Sequence, residues 1–175
     1  MKQLRSVDQK RLHRDWQRRT DQRVGLLLDA VQDPFNVGSI VRTAAALRVE
    51  HLYLAAHATR PTHPKVGKTA MGTERYLEWT EYERLGDAVA AAHEDGFRVV
   101  ALELADESTP WFDLDLAGDV CVVLGNESRG LNQASLASCD AVGYLPLVGR
   151  VGSLNVAAAA AAALSEVRRQ GWRCG

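Results

Sequence analysis

The stretch Val120-Cys121-Val122-Val123-Leu124-Gly125-Asn126-Glu127-Ser128-Arg129-Gly130-Leu131 decides how this chain reads. Its first five residues are apolar without alternation and rich in valine, as expected of a strand covered on both faces. The polar run Gly125–Gly130 then breaks the strand with glycines at both ends. Outward from it the same alternation recurs. Val24–Leu28, Leu52–Ala55, Tyr76–Trp79, Phe97–Leu102 and Val142–Leu145 read as strands. Residues 7–22, Val37–Leu47, Arg84–Glu94, Asn132–Ser138 and Ser153–Arg169 read as helices, with turns or loops at Asp33-Pro34, 57–67 and around Pro110. Strands alternating with helices predict an α/β fold, a mainly parallel sheet with helices on both faces. The last helix contains seven consecutive alanines, 157–163, which favour a tightly packed buried or interface helix.

The chain has 175 residues, 46% of them hydrophobic and 25% charged, which suits one globular domain and excludes a disordered chain. No apolar run approaches the roughly 18 residues of a membrane span, and Met1–Arg5 holds no signal core, so a cytoplasmic protein is expected. Cys121, Cys139 and Cys174 are odd in number and show no metal spacing, which predicts reduced thiols. The net charge of −1 hides an asymmetry: residues 2–23 carry eight basic side chains against three acidic ones, a local +5 that leaves −6 elsewhere. A basic end of that kind can hold a polyanion, or form a solvated helix face.

In parallel sheets ligands bind outside the carboxyl ends of the strands. Polar or glycine-rich segments follow the first, fifth and sixth expected strands: Asp33–Gly38, Gly125–Gly130 and Pro146–Gly152. Other apparent motifs fail. Gly67-Lys68-Thr69 lacks the P-loop glycine, since position 62 is Thr62, and follows no strand. No G-x-G-x-x-G, G-x-S-x-G or H-E-x-x-H occurs, and the five histidines have no ligand spacing, so no metal is expected.

Three segments carry the chemistry together: Asn36-Val37-Gly38-Ser39-Ile40-Val41-Arg42, Leu124–Leu131, and Leu145-Pro146-Leu147-Val148-Gly149-Arg150-Val151-Gly152-Ser153-Leu154-Asn155-Val156-Ala157. In order and spacing they resemble the motifs of the SpoU (TrmH-like) branch of the SPOUT class of RNA 2′-O-ribose methyltransferases, over roughly residues 22–170. The resemblance implies a C-terminal deep trefoil knot, against the general absence of knots in proteins. It divides the chain into a basic helical extension, 1–22, and a methyltransferase domain, 23–175. It also implies S-adenosyl-L-methionine held by the second and third motifs. Leu124, Gly125, Gly130, Leu145, Pro146, Gly149, Ser153 and Leu154 match its cofactor positions; the glycines, Gly152 with them, would allow tight turns and close backbone approach.

Arg42 matches the family's catalytic arginine. Because a guanidinium hardly ever loses its proton, it is expected to stabilise the ribose alkoxide or anchor the adjacent phosphate as readily as to act as base. Asn36, at the helix start, would orient Arg42 or the ribose, or cap the helix. Glu127 would shape the site and fix the arginine through a charge-assisted bond. Ser153 and Asn155 would open the last helix, where an anion is favoured, or serve as its cap. Arg11, Arg18, Arg19, Lys65, Lys68, Arg129 and Arg150 are the candidate RNA contacts. The N-terminal helix resembles that of enzymes acting on a D-loop guanosine of tRNA. The chain departs from them in stopping at Gly175 without their usual C-terminal extension, but it also lacks the N-terminal RNA-binding domain common in ribosomal RNA members, so tRNA is expected. A homodimer packed through the knot region is implied. A ribosomal RNA methyltransferase, or a non-catalytic RNA- or adenine-nucleotide-binding protein that kept the fold, are the alternatives.

Overall fold

A seven-stranded parallel sheet forms the centre of the structure, a computed structural model that describes residues 2–172. Met1 and residues 173–175 lie outside the described residues, and the expected thiol of Cys174 with them. The elements run α1 (Ser6–Gln17), β1 (Val24–Asp29), α2 (Pro34–Ala46), β2 (His51–Ala55), α3 (Gly67–Ala70), β3 (Glu78–Tyr82), α4 (Leu85–Glu94), β4 (Arg98–Leu102), β5 (Thr109–Pro110), β6 (Val120–Leu124), α5 (Gln133–Ala137), β7 (Ala141–Tyr144) and α6 (Val156–Gly171). Side by side the strands stand in the order β3-β2-β1-β6-β4-β7-β5. Two late strands are thus inserted between earlier ones: β6 between β1 and β4, and β7 between β4 and β5.

Alternation along the strands explains why helices cover both faces. Leu26 and Leu28 of β1 and Val120, Val122 and Leu124 of β6 point to one face, where Val37, Ile40, Val41 and Ala44 of α2 meet Ala160, Ala163, Leu164 and Val167 of α6. Leu27, Cys121 and Val123 point to the other, against Leu85, Ala88, Val89 and Ala92 of α4. All five residues of β6 are buried, as their unbroken apolar run requires. Alanines let α6 lie close to the sheet, and the Trp111 indole N–H donates to the Ala163 carbonyl at 3.2 Å in this core. Burial pushes the Cys121 thiol far above its ordinary value and that of Cys139 up to about 11, so both stay protonated and unreactive at neutral pH.

Several element ends differ from the sequence expectation. The first helix stops at Gln17 instead of residue 22, because Thr20 is buried and accepts from the Gln22 amide, while Gln22 donates to Leu116 and Gly118 carbonyls. These bonds draw residues 18–23 out of the helix towards β1. The second helix begins three residues early, at Pro34: Asp33 caps it by accepting from the Phe35 and Asn36 amides at 2.7 and 3.2 Å. Such a cap contributes about 1 kcal/mol, and proline is pre-set for the first helical position. Asn36 is therefore not the cap. The last helix begins at Val156 rather than Ser153, with Asn155 as its cap accepting from the Ala157 amide at 2.9 Å, so Ser153 has no capping role. Tyr76, expected to begin a strand, instead ends a 3-10 turn over residues 73–76 ahead of β3. Among the described residues no helix is long and apolar enough to cross a membrane.

Candidate active site

Because β1, β6, β4 and β7 are neighbours, the segments that leave their carboxyl ends stand consecutively along one sheet edge. They enclose a cavity of about 940 Å³, within the size range of small-molecule sites. Its wall includes Leu124, Leu145 and Leu154 as apolar surface, the backbone of Gly125, Gly130 and Gly149, and Arg129 and Arg150 as cations. Seven of the eight expected cofactor positions, Ser153 included, line it. Pro146 does not: it is exposed beyond β7.

The loop after β6 is held by its own backbone and by Asn126. The Asn126 side chain accepts from the amides of Ser128 and Arg129 and donates to the Ala30 carbonyl at the end of β1 at 2.7 Å. Gly130 donates its amide back to the Asn126 carbonyl at 2.9 Å. The fold is so tight that a β-carbon on Gly125 would stand 2.6 Å from the Gly130 carbonyl carbon and 2.7 Å from the Leu131 nitrogen. Gly130 has φ of +62°, and a β-carbon there would run into the Glu103 carboxylate. Gly149 and Gly152 are different: both face open space, so nothing within the chain demands glycine there.

A directed chain of hydrogen bonds joins the three motifs. Glu127 accepts from the backbone amides of Gln32 and Asp33, at 3.4 and 3.1 Å, and from the Asn36 side-chain amide at 3.3 Å. The carboxylate can only accept, so the Asn36 NH₂ must face it and the Asn36 oxygen must face outward. That oxygen accepts from the Asn155 NH₂ at 2.9 Å, which leaves the Asn155 oxygen to cap α6. One acidic group thereby sets the orientation of two asparagines and ties β1–α2, the loop after β6 and the start of α6 together. Glu127 does not bond an arginine here, contrary to expectation; the amides of the β1–α2 turn occupy it instead.

Asn36, Glu127, Ser153 and Asn155 all line the cavity. Arg42 does not: it is exposed on α2, and among the described residues no hydrogen bond or ion pair holds it. Six residues place it about 9 Å further along the helix than Asn36 and about a third of a turn around. Gly38, one turn back on the face of Arg42, abuts Thr69 and the Val66 carbonyl. Arg42 therefore faces the same side as the segment carrying the exposed Lys65 and Lys68. On and after α1, Arg11, Arg18 and Arg19 are exposed; Arg18 lies 3.8 Å from Asp15, and Arg19 stacks on Trp16. Sequence reasoning missed Glu103, which also lines the cavity and accepts from the Leu131 amide at 2.8 Å. Its signal was an acidic residue directly after an apolar strand.

The asparagine relay predicts an unusual order of damage. Asn36→Ala removes two partly exposed bonds and should cost about 1–3 kcal/mol. Asn36→Asp sets a second carboxylate against Glu127 and should cost more, although it is the closer isostere. Thermal denaturation should show Tm falling from wild type to alanine to aspartate at pH 7. The aspartate deficit should shrink as pH falls through the carboxylate range, because protonation removes the repulsion.

Known proteins resemble this chain in sequence and in fold. A 23S rRNA (guanosine-2′-O-)-methyltransferase of Acinetobacter baylyi is 33% identical over 151 residues, 86% of this chain and 61% of that protein. A tRNA (guanosine(18)-2′-O)-methyltransferase of Thermus thermophilus is 32% identical over 160 residues, 90% of this chain and 80% of that protein. The crystal structure of the SpoU methyltransferase AviRb from Streptomyces viridochromogenes in complex with AdoMet superposes with a TM-score of 0.76 at 32% identity, over 87% of this chain and 61% of the other. Several curated relatives are matched over only 54% to 62% of their own length. The model of the SpoU rRNA Methylase family matches residues 23–165, which include all three motifs and every strand of the sheet, and the chain belongs to that family.

Proposed function

We propose that the protein is an S-adenosyl-L-methionine-dependent RNA methyltransferase acting on a ribose 2′-hydroxyl. The observation that carries this reading is the hydrogen-bonded convergence of Asn36, Glu127 and Asn155 on the wall of one glycine-lined cavity. The cavity suits the cofactor: leucines 124, 145 and 154 offer apolar surface for an adenine, and the missing side chains of Gly149 and Gly152, which face open space, leave backbone open to a ligand. When bound, the cofactor supplies an electrophilic methyl group on a sulfonium centre. The second and third motifs would hold it. A trefoil knot at these two loops is part of the proposal, supported by the insertion of β6 and β7 between earlier strands.

A ribose 2′-hydroxyl is a weak nucleophile near neutral pH. Arg42, without a hydrogen-bond or ion-pair partner among the described residues, is free to neutralise the developing alkoxide or the neighbouring phosphate. Asn36 and Asn155, oriented by Glu127, would position the ribose, and Ser153 offers a hydroxyl on the same wall. Lys65 and Lys68 lie on the side of Arg42, and Arg129 and Arg150 rim the cavity. Residues 1–22 form the proposed extension; α1 buries none of its residues and offers Arg11, Arg18 and Arg19 to phosphates.

A tRNA, with a D-loop guanosine as the preferred target, is supported by the extent of the likeness to the Thermus thermophilus enzyme, which takes in 90% of this chain. A homodimer through the 145–155 region is supported by exposed Leu147, Val148, Val151 and Leu154 beside an exposed small-residue face of α6; a monomeric mass in light scattering would count against it. Incubation with radiolabelled cofactor and separated total tRNA and ribosomal RNA tests the substrate: label should enter tRNA. Label in ribosomal RNA alone would reassign the target, and failure to bind the cofactor in calorimetry would favour the non-catalytic reading.

A further inference from the structure

Glu103 immediately follows β4, whose neighbours in the sheet are β6 and β7, so its carboxylate lies at the fork between the two motif loops. The backbone places it firmly: the Glu103 amide donates to the Gly143 carbonyl of β7 at 2.8 Å. One carboxylate oxygen accepts from the Leu131 amide at 2.8 Å and the other from the Leu104 amide at 3.1 Å. A carboxylate has about four acceptor positions, and these bonds use two. Among the described residues no cation pairs with it, although Arg129 and Arg150 line the same cavity. Gly130, with φ of +62°, leaves room for this carboxylate that any side chain would take. The result is an oriented, unneutralised acceptor on the cavity wall, beside a glycine-rich loop and at the carboxyl end of a parallel strand.

In dinucleotide-binding α/β folds an acidic residue beside a glycine-rich loop at the carboxyl edge of the sheet bonds the ribose hydroxyl, and a diol can offer two O–H donors to one carboxylate. We propose that Glu103 is the ribose-recognising residue of the cofactor site, accepting from the adenosine hydroxyls through the positions left free by the Leu131 and Leu104 amides. This rests on the cofactor reading above. The same side chain thus couples cofactor identity to the shape of the loop that carries Asn126 and Glu127. Nucleotides lacking a ribose hydroxyl are discriminated against here and not at the leucines.

Calorimetric titration with S-adenosylhomocysteine and its 2′-deoxyribose counterpart separates this role from a purely structural one. Wild type should bind the deoxy ligand about tenfold or more weakly, the scale of one hydrogen bond to a charged group. Glu103→Gln keeps an acceptor for the Leu131 amide but removes the charge. It should weaken S-adenosylhomocysteine by a similar factor while leaving the deoxy ligand nearly unchanged. Equal weakening of both ligands by Glu103→Gln would overturn the proposal, since loop distortion makes no distinction between them. Wild type that binds both equally would overturn it without any variant, even if Glu103→Gln fails to fold. Wild type that binds neither would remove the cofactor reading and this inference with it.

Discussion

Arg42→Ala should abolish measurable methyl transfer while leaving the fold and cofactor affinity as they are. The core of α2 is made by Val37, Ile40, Val41 and Ala44, whereas Arg42 is exposed and touches no partner that the fold depends on. Exposed substitutions of this kind change stability by about 0.5 kcal/mol or less. Arg42 also lies outside the cavity wall, so ligand binding there has no reason to change. The loss should fall on turnover. Removing one hydrogen-bond donor from a developing oxyanion costs about 10²–10³-fold in kcat, and loss of the neighbouring phosphate contact would add to it. Arg42→Lys should restore little, since an ammonium lacks the planar fork of donors. Steady-state kinetics beside calorimetry reads both halves. Normal turnover in Arg42→Ala would refute the role.

The second large effect belongs to Gly125. An alanine there puts its β-carbon 2.6, 2.7 and 2.9 Å from three backbone atoms of Gly130 and Leu131, none of which can swing aside as a side chain would. The loop must open, breaking the Gly130 amide bond to Asn126 and displacing Glu127 from the β1–α2 turn. Overpacking of this kind costs about 1–3 kcal/mol, and cofactor binding should be lost with the loop. Gly149→Ala is the control. It meets nothing within 4 Å, so Tm should stay at the wild-type value, and any fall in cofactor affinity would come from the ligand's own approach to that backbone. Equal Tm for Gly125→Ala and wild type would show that the loop is looser than these contacts require.

The layout of the fold was legible wherever burial dictated composition. Val120–Leu124 is apolar because both faces of β6 are covered, and its limits agree with the structure residue for residue. Helix starts were less legible, because caps compete. Asp33, Asn36, Ser153 and Asn155 are all acceptable caps by type, and only the geometry shows that Asp33 and Asn155 take the role. That choice frees Asn36 for Glu127, a pairing 91 residues apart in sequence. Long-range bonds of this kind leave no local pattern. The glycines show the same limit: four looked alike in the second and third motifs, but of these only Gly125 and Gly130 answer to packing within the chain. Glu103 escaped notice because a single acid after a strand is ordinary until the cavity shows what it faces.

Transfer of a methyl group to a ribose oxygen is established or excluded by locating the methyl group. RNA methylated in vitro with labelled S-adenosyl-L-methionine is digested to nucleosides and, in parallel, hydrolysed by alkali. A 2′-O-methyl ribose should leave the label in one modified nucleoside and protect the adjoining phosphodiester from alkali, because the 2′-hydroxyl that attacks the phosphate is blocked. Label confined to a base, with the adjoining bond cleaved normally, would contradict the account.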